Sequence, residues 1–212
     1  MVVSPERRAE MKKWAQYQLR AQDTACFPSI CVEDGDGLYS EVEYVYPLMG
    51  LMGEIGEVAT LASIVGAGSE DGLKYGVRYE LKHELGDVLW YLAELATTIG
   101  LDLSDAANSQ LLAETDKPVN GSVIWLRGWL YGLMCRAADI SEILKKAVRD
   151  HDGRLSEDGQ ELVALRINDA LEKLQRVAGV FGWSLDEVAE ANLAKLASRK
   201  ERGVIQGEGS DR

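Results

Sequence analysis

The chain has 212 residues, 46% of them hydrophobic, with 35 acidic against 23 basic side chains and a formal net charge of −12. That length suits one large domain or two small ones with a real core. The acidic balance argues against a nucleic-acid polymer as partner, which would want a basic face, but not against a single nucleotide held by a metal and a few local cations. No run of 18 apolar residues is present, so no membrane partner is expected. The opening MVVSPERRAEMKK lacks an apolar signal core and points to a cytoplasmic protein. Cys26, Cys31 and Cys135 have no metal-type spacing and read as plain thiols.

Residues 4 to 22 read as a helix, with Ser4 as N-cap, Pro5 in the first turn and Glu6 at the positive end. Trp14, Tyr17 and Ala21 share one of its faces. Residues 26 to 47 read as irregular, with a DGDG turn, and Tyr39, Tyr44 and Tyr46 offer stacking surface for a base. A second helix is expected from about Tyr46 to Val65, broken by Gly66, Gly68 and Gly72. A third runs from about Val77 to Ile99, with Gly100 as its stop. A fourth starts at Asp102 or Ser104 and continues to about Glu114. Lys117 to Gly121 is a break, which divides the chain into residues 1–120 and 121–212.

Two carboxylate pairs stand out in the second and third helices: Glu54 with Glu57, and Glu84 with Asp87. Each has i,i+3 spacing, so each lies on one helix face. Leu51, Met52, Val58 and Leu61 flank the first pair; Leu81, Leu85, Val88, Leu89 and Leu92 flank the second. Four acids turned toward a packed interior repel one another unless a cation sits between them. Mg²⁺ suits this, with Mn²⁺ as the alternative, since hard cations take carboxylate and phosphate oxygens together. Either pair alone reads more readily as a solvated helix face; the two together, each set in apolar sequence, are more specific. Gly53, Gly56 and Gly86 beside the acids suggest close backbone approach or room for a ligand. His83, next to Glu84, reads as a surface histidine.

GEIGE, a 26-residue gap and ELGDVLWYLAELA together resemble the ExxE…ExxD signature of the MazG-like, all-α nucleotide pyrophosphohydrolases. The resemblance implies Mg²⁺ held by Glu54, Glu57, Glu84 and Asp87, and cleavage of a nucleoside triphosphate to monophosphate and pyrophosphate. One acid, Glu57 or Glu84, would be the catalytic base toward water. YQLRAQDTA is similar to the family's first helix, which implies that Tyr17, Gln18 and Thr24 lie near the nucleotide. The C-terminal NLAKLASRKERG…GEGSDR resembles the family's last helix and tail. That implies phosphate contacts from Lys195 and Arg199, less so from Lys200 and Arg202, with Asn192 at the matching asparagine. Ser210 stands where the family usually has Asp.

Shifted by 82 residues, the chain aligns with itself without a gap. Leu51 falls on Leu133, Val58 on Ile140, Leu85 on Ile167, Leu89 on Leu171, and Gly100-Leu101 on Gly182-Trp183. The acids do not all carry over: Glu54 falls on Arg136, Glu57 on Asp139, Glu84 on Arg166 and Asp87 on Asp169. Such a set satisfies itself without metal, so the second repeat reads as a dead copy. The fold expected is therefore all-α: a tandem-duplicated helical bundle forming an intrachain pseudo-dimer. Acids from the first repeat and cations from the second would complete one site. Such a pseudo-dimer is compatible with a monomer or a homodimer. The rivals are a dUTPase-like or purine-specific dNTP diphosphatase of the same superfamily, and a catalytically silent helical protein that binds nucleotide.

Overall fold

The computed structural model describes residues 5–33, 39–66, 75–106 and 123–204. In order these form α1 (Pro5–Gln22), β1 (Ile30–Glu33), β2 (Tyr39–Val42), α2 (Val45–Gly66), α3 (Tyr75–Thr98), α4 (Leu103–Ala106), α5 (Val123–Asp150), α6 (Glu157–Val180) and α7 (Leu185–Glu201). The described residues are mostly helical. The departure from the expected all-α fold is a small antiparallel hairpin in the stretch read as irregular, with Ile30 opposite Val42 and Glu33 opposite Tyr39. Each strand is four residues, too short for period-2 alternation to register against turn-rich flanks. The Ser4 cap, the DGDG turn, Gly68 and Gly72, the expected continuation of α4 and the break at 117–121 fall outside the described residues, as do the final residues 205–212.

Local chemistry sets the helix ends. Ser156 caps α6 by accepting from the Gly159 N–H at 3.1 Å. Ser184 and Glu187 form a reciprocal capping box at the start of α7. The ends of α3 and α6 close in the same way. Gly100 has φ 74° and Gly182 φ 78°, the left-handed region open to glycine. The next N–H then reaches back five residues, Leu101 to the Ala96 carbonyl at 2.8 Å and Trp183 to the Ala178 carbonyl at 3.1 Å. These positions lie 82 apart, as do both bounds of α3 and α6.

One hydrophobic cluster runs through both halves. Leu51 and Val58 of α2, Leu85, Leu89 and Leu92 of α3, Leu133 and Ile140 of α5, and Ile167, Leu171 and Leu174 of α6 all have no exposed surface. Each such side chain contributes about 1.5–3 kcal/mol relative to exposure. This core fixes the rotation of α2 and α3 and hence which acids face each other. A Cβ at Gly50 would fall inside the Tyr91 ring, 2.1 Å from its nearest atom, while four residues on Glu54 meets Glu84. The two helices therefore run antiparallel, with their acids at one level.

Candidate metal and anion site

Glu84 and Asp87 project from α3 one turn apart, and Glu54 projects from α2 to meet them. The three carboxylates offer ligand atoms that all lie within 4.8 Å of one another. Glu84 is buried and the other two are half-buried. Burial pushes the Glu54 carboxyl up to about 8, with the charges of Asp87 and Glu84 adding to the effect. Glu84 is also pushed up, by burial first and Asp87 next. Glu54 and Glu84 lie close enough that the ionisation of each bears on the other.

Asp87 is held from a third helix. Asn192 of α7 donates through Nδ2 to Asp87 Oδ1 at 2.9 Å, and Lys195 Nζ donates to Oδ2. The Tyr17 hydroxyl donates to Asn192 Oδ1 at 3.1 Å, which adds α1 to the chain of bonds. Gly86 makes this possible: a Cβ there would come within 2.8 Å of Asn192 Cβ. Asn192 and the Lys195 side chain are both buried, so these bonds are shielded from water.

Two recesses flank the acids. A cleft of about 520 Å³ between α3 and α7 is lined by Lys195, Arg199 and Arg202 on one wall and Tyr79, Glu80 and His83 on the other. His83 is half-buried there, its ring centroid 4.3 Å from that of Tyr79. Burial pushes its imidazole pKa down, and the Lys195 charge adds to the shift. The second recess, about 330 Å³, is lined by Glu57, Thr60, Leu61, Glu80 and Glu84. One recess is therefore cationic and the other acidic, with Glu80 at the edge of both.

No family model and no solved structure matches the chain. A stretch of 81 residues, 38% of the chain, is 36% identical to the Gene 37 protein of Mycobacterium phage L5 and covers 71% of it. The chain belongs to the Gene 37 protein family. The phage relative is the shorter of the two, since the same stretch fills a larger share of it.

In this Gene 37 family chain, the expected residues divide into those that meet and those that do not. Glu54, Glu84, Asp87, Asn192 and Lys195 come together, and buried Arg199 lines the adjoining cleft. Glu57 stands outside the carboxylate trio. It is exposed on α2, although its charge reaches both Glu54 and Glu84. Gln18, expected near the nucleotide, is bonded within the chain. Its Nε2 donates to Thr97 Oγ1 and the Leu101 carbonyl, both at 2.9 Å, and its Oε1 accepts from the Leu103 N–H at 2.7 Å. That ties α1 to the turn after α3, about 15 Å along the helix from Asp87 at 1.5 Å per residue. Thr24 likewise binds Trp90 Nε1 and the Ala21 carbonyl, and Lys200 reaches the Asp23 carbonyl. His83 lines the cleft and is not a plain surface residue. Glu80 and Glu94 gave no sequence signal. Glu94 is 1% exposed, and burial pushes its carboxyl up to about 7.

At the positions 82 residues on, the acids are replaced by a closed set of ion pairs. Arg136 reaches Asp139 at 3.0 Å and Asp169 at 3.7 Å, and Arg166 reaches the same two at 3.2 and 3.6 Å. Two positive and two negative charges balance there. Around Glu54, Glu84 and Asp87, only Lys195 forms an ion pair among the described residues. Three oxygen donors, crowded and short of positive charge, fit a hard divalent ion.

Proposed function

We propose that the chain is a Mg²⁺-dependent nucleotide pyrophosphohydrolase, converting a nucleoside triphosphate to its monophosphate and pyrophosphate. The observation that carries this reading is the charge deficit of the Glu54, Glu84 and Asp87 group beside a cationic cleft. An acid cluster and a basic cleft in contact suit a ligand that is itself a cation and a polyphosphate together. Glu54, Glu84 and Asp87 would hold the ion, and Mn²⁺ suits the same donors. When bound, the ion supplies Lewis acidity toward the phosphate oxygens and the attacking water.

The chain's own residues do the rest. Lys195 and Arg199 bind the phosphate end and offset charge that builds on the leaving group. Asn192, itself held by Tyr17, fixes the orientation of Asp87. Glu57, which lines the acidic recess together with Glu84, would take a proton from water entering there. The same reading makes the molecule an internally duplicated bundle with one working site. Its support is the shared 82-residue offset of α3 and α6, of their glycine stops and of their fully buried leucine and isoleucine positions.

The test is a panel of NTPs and dNTPs, with and without Mg²⁺, scored separately for pyrophosphate and phosphate release. We expect pyrophosphate, dependence on Mg²⁺, and loss in a folded Asp87→Ala variant. Preference within the panel separates the dUTPase-like and purine-dNTP versions from a general enzyme. Phosphate as product, or unchanged turnover in Asp87→Ala, overturns the assignment.

A further inference from the structure

We infer that Lys195 is a latch that couples the two halves of the site: it sits on Asp87 when the cleft lacks an anion, and moves to an anion when one enters. The inference rests on the metal reading above and goes beyond it. It predicts that cation and anion bind with positive cooperativity, and that Lys195 alone weakens cation binding.

The geometry gives Lys195 two positions of use. Its Nζ donates to Asp87 Oδ2, one of the three carboxylates grouped for a cation. The same side chain lines the cleft with Arg199, Arg202, Ser198, Tyr79 and His83. Its neighbours are unequal. Asn192 holds the other Asp87 oxygen by an amide, a neutral donor that a cation tolerates. Lys195 brings a full positive charge to the carboxylate that a divalent ion would share. Two cations on one half-buried carboxylate repel strongly where water is scarce. The Lys195 side chain is only 8% exposed and that of Asp87 20%, so screening there is weak. A lysine is suited to the move, because its ammonium is a compact charge on a flexible four-carbon stem.

An anion in the cleft changes the balance. Phosphate oxygens offer the ammonium a charge-assisted partner to replace Asp87. Release of Asp87 Oδ2 removes the competitor from the acid group and restores its deficit, which favours the divalent ion. Linkage makes the effect reciprocal: a cation that displaces Lys195 makes the cleft more attractive to anions by the same factor. Neither ligand alone would complete the site, so a free metal ion or free phosphate would bind less well than the pair.

The experiment is a Mn²⁺ titration of the full chain, following free Mn²⁺ by its paramagnetic resonance signal. It is run in chloride and in inorganic phosphate at matched ionic strength, corrected for Mn²⁺ bound by phosphate itself. In the wild type, phosphate should tighten Mn²⁺ binding by at least about fivefold, the lower end of typical couplings. Lys195→Met should bind Mn²⁺ tighter than wild type in chloride by a similar factor and should no longer respond to phosphate. Lys195→Arg, which keeps the charge, should stay weak in chloride. Thermal melts of each variant show that it is folded. Binding in Lys195→Met that is equal to or weaker than wild type overturns the latch while leaving the metal site standing. So does a wild type indifferent to phosphate. Absence of Mn²⁺ binding in every variant overturns both the latch and the metal reading.

Discussion

Replacing Glu54 with Gln should stabilise the ion-free protein and do so only at high pH. The folded carboxyl is pushed from the ordinary 4.5 to about 8. A raised folded value means that the folded chain keeps a proton the unfolded chain has lost. Wild-type stability is therefore fullest below the unfolded value, and declines as pH rises through that window toward about 8. Glutamine cannot ionise and escapes the decline. At 1.36 kcal/mol per pH unit the whole window would amount to about 5 kcal/mol. That figure is a ceiling, because Glu54 is half-buried and its ionisation is tied to that of neighbouring Glu84; screening by water reduces it to about 1–2 kcal/mol. In a chain of this length that is roughly 2–8 °C in melting temperature. The assay is thermal unfolding in chelator at about pH 6 and about pH 9. Glu54→Gln should gain on wild type between the two, and added Mg²⁺ should raise the wild-type midpoint far more than that of the variant. A variant less stable than wild type at the higher pH, or a difference independent of pH, would show that these carboxylates are not crowded as described.

Gly86→Ala should separate α7 from α3. A Cβ there meets Asn192 Cβ, which cannot swing aside, and overpacking of this kind costs about 1–3 kcal/mol. Part of this is offset by alanine's better helix propensity, so a modest fall in melting temperature with a large loss of Mn²⁺ affinity is expected, read by calorimetry and metal titration. Gln18→Ala should have the opposite profile. It loses three hydrogen bonds at the α3–α4 turn, about 2–3 kcal/mol in all, and leaves metal affinity and the substrate KM as they were. A raised KM in a folded Gln18→Ala protein would return that residue to the substrate.

The helices were legible because their apolar residues repeat at helical spacing and glycines mark their ends. Gly100 needed only its own letter to be read as a stop, and Gly182 stands at the same place 82 residues on. The ion-pair set of Arg136, Asp139, Arg166 and Asp169 followed from the offset alignment, because opposite charges at equivalent sites have few other ways to be satisfied. Spacing alone could not tell which acids meet. Glu54 and Glu57 share a face by i,i+3 spacing, yet the rotation of α2 around Leu51, Ile55 and Val58 turns Glu54 inward and leaves Glu57 exposed. Gln18 raises a related difficulty. A polar residue on a buried face shows that it must find partners, and the letter does not say whether they are backbone groups or a ligand. His83 and Glu80 gain their setting from α7, more than a hundred residues away in sequence, and no local pattern carries that information.

Among the described residues, the apolar cluster continues from α2 through α6 without a seam. A fragment ending before α5 would present the inner faces of α2 and α3 to water, and would have to recruit another fragment or precipitate. Carrying α5 and α6 in the same polypeptide keeps that cover always at hand and in equal amount. Each half is then free to change its charges independently, provided that its greasy side still fits the other.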